Sequence, residues 1–174
     1  YVGHTAQNMQ RLCDDATGGI LFIDEVYTLA TDDFGHEATD TLMKRMEDDR
    51  GKFVVIASGY KDNMDAFMSV NPGLSSRFTH RMHIDDYNED ELLSIFKKMA
   101  SKDEYVLSQA AELKLMDAIC RLVVSKDSQF GNAREMRNML DKIIQHLSYR
   151  VSKMQPSEIT DDVFKVIMPE DIYN

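Results

Sequence analysis

The sequence predicts an α/β domain built on a parallel sheet, followed by an all-helical part. Two observations carry the first half of that statement. Ile20–Ile23 and residues 53–57 are short, continuous apolar runs bounded by glycine-containing turns, which is how buried strands of a parallel sheet read. Segments with helical periodicity lie before and between them, and such alternation builds a parallel sheet. The third observation carries the second half. After Tyr87 the apolar runs cease and long helical periodicities take over.

In chain order, residues 4–16 suit a helix with Met9, Leu12, Cys13 and Ala16 on one face. The Ile20–Ile23 strand follows. Residues 37–49 suit a second helix that turns Ala38, Leu42 and Met46 inward. Residues 53–57 are the second buried strand, ended by Gly59. Residues 62–68 read as a short helix, Asn71-Pro72-Gly73 as a turn, and Arg81–Ile84 as a third short strand. Asn88 is a candidate N-cap, with Glu89, Asp90 and Glu91 favourably placed in the first turn. Residues 108–125 form a helix with Leu115, Met116, Ile119, Leu122 and Val123 on one face. Residues 132–153 form another, with Met136, Met139, Leu140, Ile143, Ile144, Leu147, Val151 and Met154 in a stripe. The methionines invite a peptide-groove reading, but the length and regularity of the stripe favour core packing. Thr160 or Asp161 opens a last short helix. The division is residues 1–87 against 88–174.

Composition sets the bounds. The 174 residues are 43% hydrophobic and 29% charged, an ordinary globular balance for one domain or a domain plus a small satellite. No apolar run approaches membrane-spanning length, and no signal peptide is visible. The net charge of −10 disfavours nucleic acid and anionic membranes as partners. Cys13 and Cys120 have no metal-type spacing and each lies among apolar residues, the pattern of buried free thiols in a reducing, cytoplasmic compartment. The chain opens at Tyr1, without Met and inside what reads as a motif, so a fragment is expected.

Chemistry concentrates in Gly18-Gly-Ile-Leu-Phe-Ile-Asp-Glu25. Adjacent acids at the carboxyl end of a parallel strand face the crevice where open α/β sheets bind ligands. Two neighbouring carboxylates repel and are costly to bury without a hydrogen-bond network or a cation. Mg²⁺ with a nucleotide supplies it: Asp24 would hold the metal through water, and Glu25 would orient and polarise an attacking water. The plainer alternative is a strand end whose acids point into solvent. His80 and His83 suggest a metal site, but on a strand they face opposite sides and have no third ligand at suitable spacing.

Three segments occur in order: Gly18-Gly-Ile-Leu-Phe-Ile-Asp-Glu25, Asn71-Pro-Gly-Leu-Ser-Ser-Arg-Phe78 and Gly131-Asn-Ala-Arg134. Together they resemble an AAA+ ATPase, in the flavour of red-type rubisco activases, stage V sporulation protein K ATPases and type VII secretion AAA components. The resemblance spans essentially the whole chain. It implies the C-terminal part of a parallel-sheet AAA+ nucleotide-binding domain followed by a small all-α lid. It further implies ATP and Mg²⁺ as cofactors, a homo-oligomeric ring, typically a hexamer, and a protein client; the charge argues against nucleic acid or membrane as partner. By the same resemblance Asp24 and Glu25 are the Walker B pair, and Arg77 is an arginine finger acting on a neighbouring subunit. Arg134 is the second-sensor arginine, with Arg137 as fallback. The first-sensor position falls at Ser58-Gly59-Tyr60, where better-known relatives carry Asn; Ser58 and Tyr60 both stay open, and Asn63 lies too far along. Tyr1, Val2 and Gly3, in Tyr1-Val2-Gly3-His4-Thr5, resemble the aromatic pore loop that grips an extended client. No Gly-x-x-x-x-Gly-Lys-Ser/Thr phosphate loop occurs in the sequence, so this chain alone is expected to bind ATP poorly and to be inactive, while its parent hydrolyses ATP. The alternatives are a non-catalytic AAA+-like scaffold and, disfavoured by the charge, a DNA-acting AAA+ protein.

Overall fold

In the computed structural model, residues 4–30, 33–127, 130–160 and 162–173 are described. The chain forms two compact units, Tyr1–Ile84 and Asp85–Asn174.

The first unit starts with helix α1 (His4–Asp15) and strand β1 (Ile20–Ile23). A 3-10 turn (Val26–Ala30) and helix α2 (Asp33–Asp48) lead back to strand β2 (Val54–Ala57). β1 and β2 pair in parallel, from Ile20 opposite Val54 to Ile23 opposite Ala57. Gly18 makes the turn into β1 at a φ of 80°, where a side chain would be strained, and donates to the Lys52 carbonyl at 2.7 Å. One face of the pair is covered: Leu21 packs with Met9, Cys13, Ala38 and Leu42. Arg45 of α2 also pairs with Asp14 of α1 at 2.7 Å and with Asp49. Burial pushes the Cys13 thiol pKa up.

The other face is bare. Ile20 and Phe22 of β1, opposite Val54 and Ile56 of β2, are 62%, 61%, 57% and 44% exposed. Strands expected to be buried on both sides are thus covered on one. The continuous apolar run marks a sheet fit for two covered faces, and the described helices supply one.

Helices α3 (Lys61–Val70) and α4 (Pro72–Arg77) complete the unit around Val26, Met43, Phe67, Met68 and Leu74. Asn71 is not simply a turn residue. It is the N-cap of α4, accepting from the Gly73 N–H at 2.8 Å, with Pro72 in the first helical position. The strand expected at Arg81–Ile84 does not form; the segment is irregular, with Met82 89% and Ile84 83% exposed. A strand needs a neighbour for its backbone groups, and among the described residues no strand lies beside this one.

The second unit opens with helix α5 (Glu89–Lys102), whose start is a reciprocal capping box. Asn88 Oδ1 accepts from the Glu91 N–H and Glu91 Oε2 from the Asn88 N–H, each at 2.9 Å. Then come strand β3 (Val106–Leu107), helix α6 (Gln109–Val124), helix α7 (Ala133–Ser152) and strand β4 (Val166–Ile167). The methionine stripe is core: Met136, Leu140, Ile143, Leu147 and Val151 are buried against Leu92, Phe96, Leu115 and Ile119, while Met139, Ile144 and Met154 pack at the edge.

Two expectations are corrected in this unit. Strands do not end at Tyr87, because β3 and β4 pair in parallel, Val106 opposite Val166 and Leu107 opposite Ile167. No helix opens near Thr160; residues 162–165 form turns that feed β4, and Asp161 lies outside the described residues. The stretch before Pro169 is too short to nucleate a stable helix, and β3 offers it a strand partner. Asp171, 1% exposed, clasps the end of the chain: Arg150 donates to its two oxygens at 2.8 and 2.9 Å, and the Met168 N–H donates at 2.9 Å. Cys120, expected to be buried, is exposed, because it follows buried Ile119 on α6 and turns off the core.

Candidate functional site

Parallel register brings the carboxyl ends of β1 and β2 side by side, so Asp24 and Ser58 each stand one residue past their strand. The Ser58 N–H donates to the Ile23 carbonyl at 2.9 Å, and the Val26 N–H to the Ser58 carbonyl at 3.2 Å. This zipper carries the Ser58 side chain to the acid: its Oγ donates to Asp24 Oδ1 at 2.6 Å. The Glu25 N–H donates to the same oxygen at 3.1 Å. Asp24 Oδ1 thereby accepts two hydrogen bonds from the protein, and the residue stays exposed.

Glu25 itself has a φ of 49°, in the left-handed region. That backbone is unfavourable for glutamate by about 1–2 kcal/mol, and such strain gathers at functional sites. Its carboxylate is exposed and bonds to no other described residue. Gly59 is there for closeness: a Cβ would lie 2.5 Å from Tyr27 Cε1. Tyr60 precedes α3 in extended conformation, its carbonyl accepting from the Met64 N–H at 2.8 Å.

Hard carboxylate oxygens at a sheet crevice suit Mg²⁺. Among the described residues no group of three or more His, Cys, Asp or Glu could cage a metal. A cation here would rest on one or two carboxylates, water and phosphate oxygens, which is how Mg²⁺ is commonly held. The acid pair therefore fits a hydrated Mg²⁺ with a nucleotide, Asp24 as the holding residue.

Arg77 lies elsewhere. Its Nε donates to the Met43 carbonyl at 3.0 Å, its Nη1 to the Gly73 carbonyl at 3.2 Å, and its Nη2 is 3.7 Å from Glu47. Still 27% exposed, it borders a cavity of about 360 Å³ with Met46, Glu47, Arg50, Phe53 and Ser76. Apart from Ser76 of α4, these residues belong to the end of α2 and the approach to β2. Asp24 sits past the opposite end of the sheet, beyond a four-residue strand of about 3.3 Å per residue. The structure brings Asp24, Glu25 and Ser58 together and leaves Arg77 apart. His80 meets Thr79 Oγ1 at 3.0 Å; it and His83 are exposed on the irregular segment.

In the second unit Arg134 stands in the first turn of α7. It is exposed, and no hydrogen bond or ion pair to another described residue holds its guanidinium; Arg137, one turn on, is exposed too. The residue that sequence reasoning missed is Asn132. It leads into α7 at φ 49° and ψ −118° without capping it, and its side chain bonds Asp86 and Tyr87 instead. An Asn directly after Gly131 was the available signal, because a Gly-Asn pair ahead of a helix marks an unusual turn. Tyr1, Val2 and Gly3 lie outside the described residues.

Comparison with known proteins follows these boundaries. Residues 1–86 match the model of the ATPase family associated with various cellular activities (AAA), and residues 88–174 match that of the AAA lid domain. Stage V sporulation protein K of Bacillus subtilis (strain 168) is 44% identical over 155 residues, 87% of this chain and 48% of that protein. A CfxQ homolog protein of Guillardia theta is 39% identical over 176 aligned residues, 99% of this chain and 59% of the relative. The chloroplastic ribulose bisphosphate carboxylase/oxygenase activase of Cyanidioschyzon merolae (strain NIES-3377 / 10D) is 37% identical over the same span, with the same two coverages. The chain thus spans about half to three-fifths of the length of these curated relatives. With its lid matched throughout and relatives of this identity covering nearly all of it, the chain belongs to the AAA family of ATPases.

Proposed function

We propose that the full-length parent of this chain hydrolyses ATP in a ring-forming oligomer, a hexamer, and uses the turnover to remodel or thread a protein client. The observation that carries the reading is the Asp24–Ser58 bond of 2.6 Å beside Glu25 in left-handed backbone. Asp24 and Glu25 both remain exposed beside it. Bound Mg²⁺ would neutralise charge on the phosphates, where phosphoryl transfer needs positioning more than covalent chemistry. Asp24 holds that ion through water. Glu25 orients and polarises the attacking water and receives its proton. Ser58 is preferred over Tyr60 as first sensor, because its Oγ donates directly to Asp24.

Arg77 supports the oligomer. Tied to Met43, Gly73 and Glu47 at the far end of the sheet, it lies away from its own chain's acids, which supports a role toward a neighbour's phosphate. A guanidinium suits that work because it stays charged and binds oxygens in a fork. Arg134, exposed in the first turn of α7, is the lid's phosphate contact, and Tyr1, Val2 and Gly3 form the client-gripping loop. No helix among the described residues is long and apolar enough to cross a membrane. Separately, the free thiols of Cys13 and Cys120 support a reducing compartment, the cytoplasm, for the parent. A chloroplastic activase acting on ribulose bisphosphate carboxylase/oxygenase stands among the relatives, which supports a protein as client.

The test is a mixing experiment on the full-length parent. Glu25→Gln should keep ATP binding and abolish turnover, since the amide is nearly isosteric but a poor base. Arg77→Ala should lose roughly a thousandfold or more in rate, as arginine fingers do. Mixed under subunit exchange, the two inactive variants should regain activity, because some interfaces then pair an intact Glu25 with an intact Arg77. Turnover in Glu25→Gln within twofold of wild type removes the hydrolytic role. An Arg77→Ala protein that is inactive even as a monomer, where wild-type monomer is active, removes the role in trans. A parent that neither binds nor turns over ATP is a scaffold.

A further inference from the structure

Helix α7 begins at a corner that favours glycine. Asn132, at φ 49° and ψ −118°, has the geometry of the first central residue of a type II′ turn. An asparagine just ahead of a helix usually caps it through its side chain. This one does not. Its Oδ1 accepts from the Tyr87 N–H at 3.0 Å, and its Nδ2 donates to Asp86 Oδ1 at 2.8 Å and to the Phe130 carbonyl at 3.4 Å. The second Asp86 oxygen accepts from Lys126 Nζ at 2.9 Å, and that ammonium stands 5.8 Å over the Phe130 ring. The side chain therefore joins the entry of α7 to the two residues just before the Asn88 cap of α5.

The amide suits this role. It accepts from a backbone N–H through its oxygen and donates to a carboxylate through its separate NH₂ group, two atoms facing two partners without charge. Glycine would suit the backbone better and could do neither. The corner also sets the first turn of α7: the Arg134 N–H donates to the Gly131 carbonyl at 2.9 Å, and the Glu135 N–H to the Asn132 carbonyl at 3.0 Å. The latch grips the chain at Asp86–Tyr87, where the ATPase-domain match ends and the lid match begins.

We propose that Asn132 is a positioning residue: its amide latches the first turn of α7 to Asp86 and Tyr87, and so fixes the direction in which Arg134 leaves the lid toward nucleotide. The inference rests on the nucleotide role proposed for Arg134, and the experiment separates the two.

In the full-length parent, Asn132→Gly keeps the turn and removes the latch. Loss of a net hydrogen bond or two should raise the KM for ATP about fivefold to tenfold. The same change should speed amide exchange at Tyr87 by a similar factor. Combined with Arg134→Ala, it should raise KM no further than Arg134→Ala alone. Asn132→Asp should be more damaging, because it sets a second carboxylate against Asp86. Adding Asp86→Asn to it should recover activity, since the new amide at 86 then donates to the new carboxylate at 132 and still accepts from Lys126. Unchanged Tyr87 exchange in Asn132→Gly overturns the latch. A wild-type KM in Asn132→Gly with a raised KM in Arg134→Ala overturns only the positioning role. A wild-type KM in Arg134→Ala overturns the nucleotide reading, and the positioning role with it.

Discussion

The two units close their cores differently. In Asp85–Asn174, three capped or anchored helices enclose one continuous cluster running from Leu92 and Phe96 through Leu115 and Ile119 to Met136, Leu147 and Ile167. In Tyr1–Ile84 the buried residues fall into two smaller groups, one under α1 and α2 and one around Phe67 and Leu74, and the far face of the sheet is uncovered. A helical unit whose partners lie near in sequence satisfies itself. A parallel sheet does not, because its strands are apolar on both faces and each needs neighbours on both edges. The candidate site sits in the less enclosed unit: Asp24, Glu25 and Ser58 all stand at the rim of that thin sheet.

The largest effect that sharpens this contrast lies in the lid core. Phe96 and Leu42 are both fully buried. Phe96→Ala should destabilise its unit by about 3–5 kcal/mol, and Leu42→Ala its own by about 2–3 kcal/mol, because the surroundings of a small cluster collapse more readily into the void. Because two units need not unfold together, native-state amide exchange resolved by unit is the measurement. A greater loss at Leu42 than at Phe96 reverses the comparison.

Next comes the clasp that ties the chain's end to α7. Asp171→Ala leaves Arg150 with only the Val166 carbonyl, at 3.0 Å, and strips the Met168 N–H of its acceptor. Asp171 is also the main reason the Arg150 pKa is raised, through its hydrogen bonds to the guanidinium. Breaking one side of a buried pair should destabilise the lid by about 3 kcal/mol. Exchange of the β4 amides and of the last turn of α7 should accelerate together. Acceleration at β4 alone would make the pair a local tether rather than part of the core.

What the sequence disclosed follows the same division. The stripe from Met136 to Met154 was legible because helical packing repeats every few residues and the partner helices are close in sequence. Ile20–Ile23 and residues 53–57 were legible as strands because their runs are apolar without interruption. That one face would be bare was not, since coverage depends on elements the run itself does not specify. Arg81–Ile84 carried a strand-like pattern without a strand beside it among the described residues, and the Val106–Val166 pairing joins two-residue segments far apart in sequence, beyond any local signal. At the candidate site, Asp24 and Glu25 stood out through chain position alone. The bond from Ser58 to Asp24 depends on parallel register, and the Asn132 corner depends on a side chain meeting Asp86, so neither was readable from spacing. Cys120 was misplaced by a single step around α6.

The smallest expected effect tests the bare face directly. Phe22 is 61% exposed and stands opposite Ile56 on that face. In this 174-residue chain, Phe22→Ser removes little buried area, so stability should change by no more than about 0.5 kcal/mol, as for ordinary surface substitutions. Leu21, the adjacent strand residue that packs with Met9 and Leu42, supplies the control: Leu21→Ala should cost about 2–4 kcal/mol in the same chain. The full-length parent should erase the difference. Parallel sheets are covered on both faces, so further elements packed over Phe22 would make its loss as damaging as that of Leu21. Urea denaturation of both variants in both chains gives four numbers to compare. Phe22→Ser destabilising the short chain by more than about 1 kcal/mol would mean that the face is already covered there. Phe22→Ser remaining silent in the parent would mean that this sheet works with one face open, and the contrast between the two units would then belong to the whole protein.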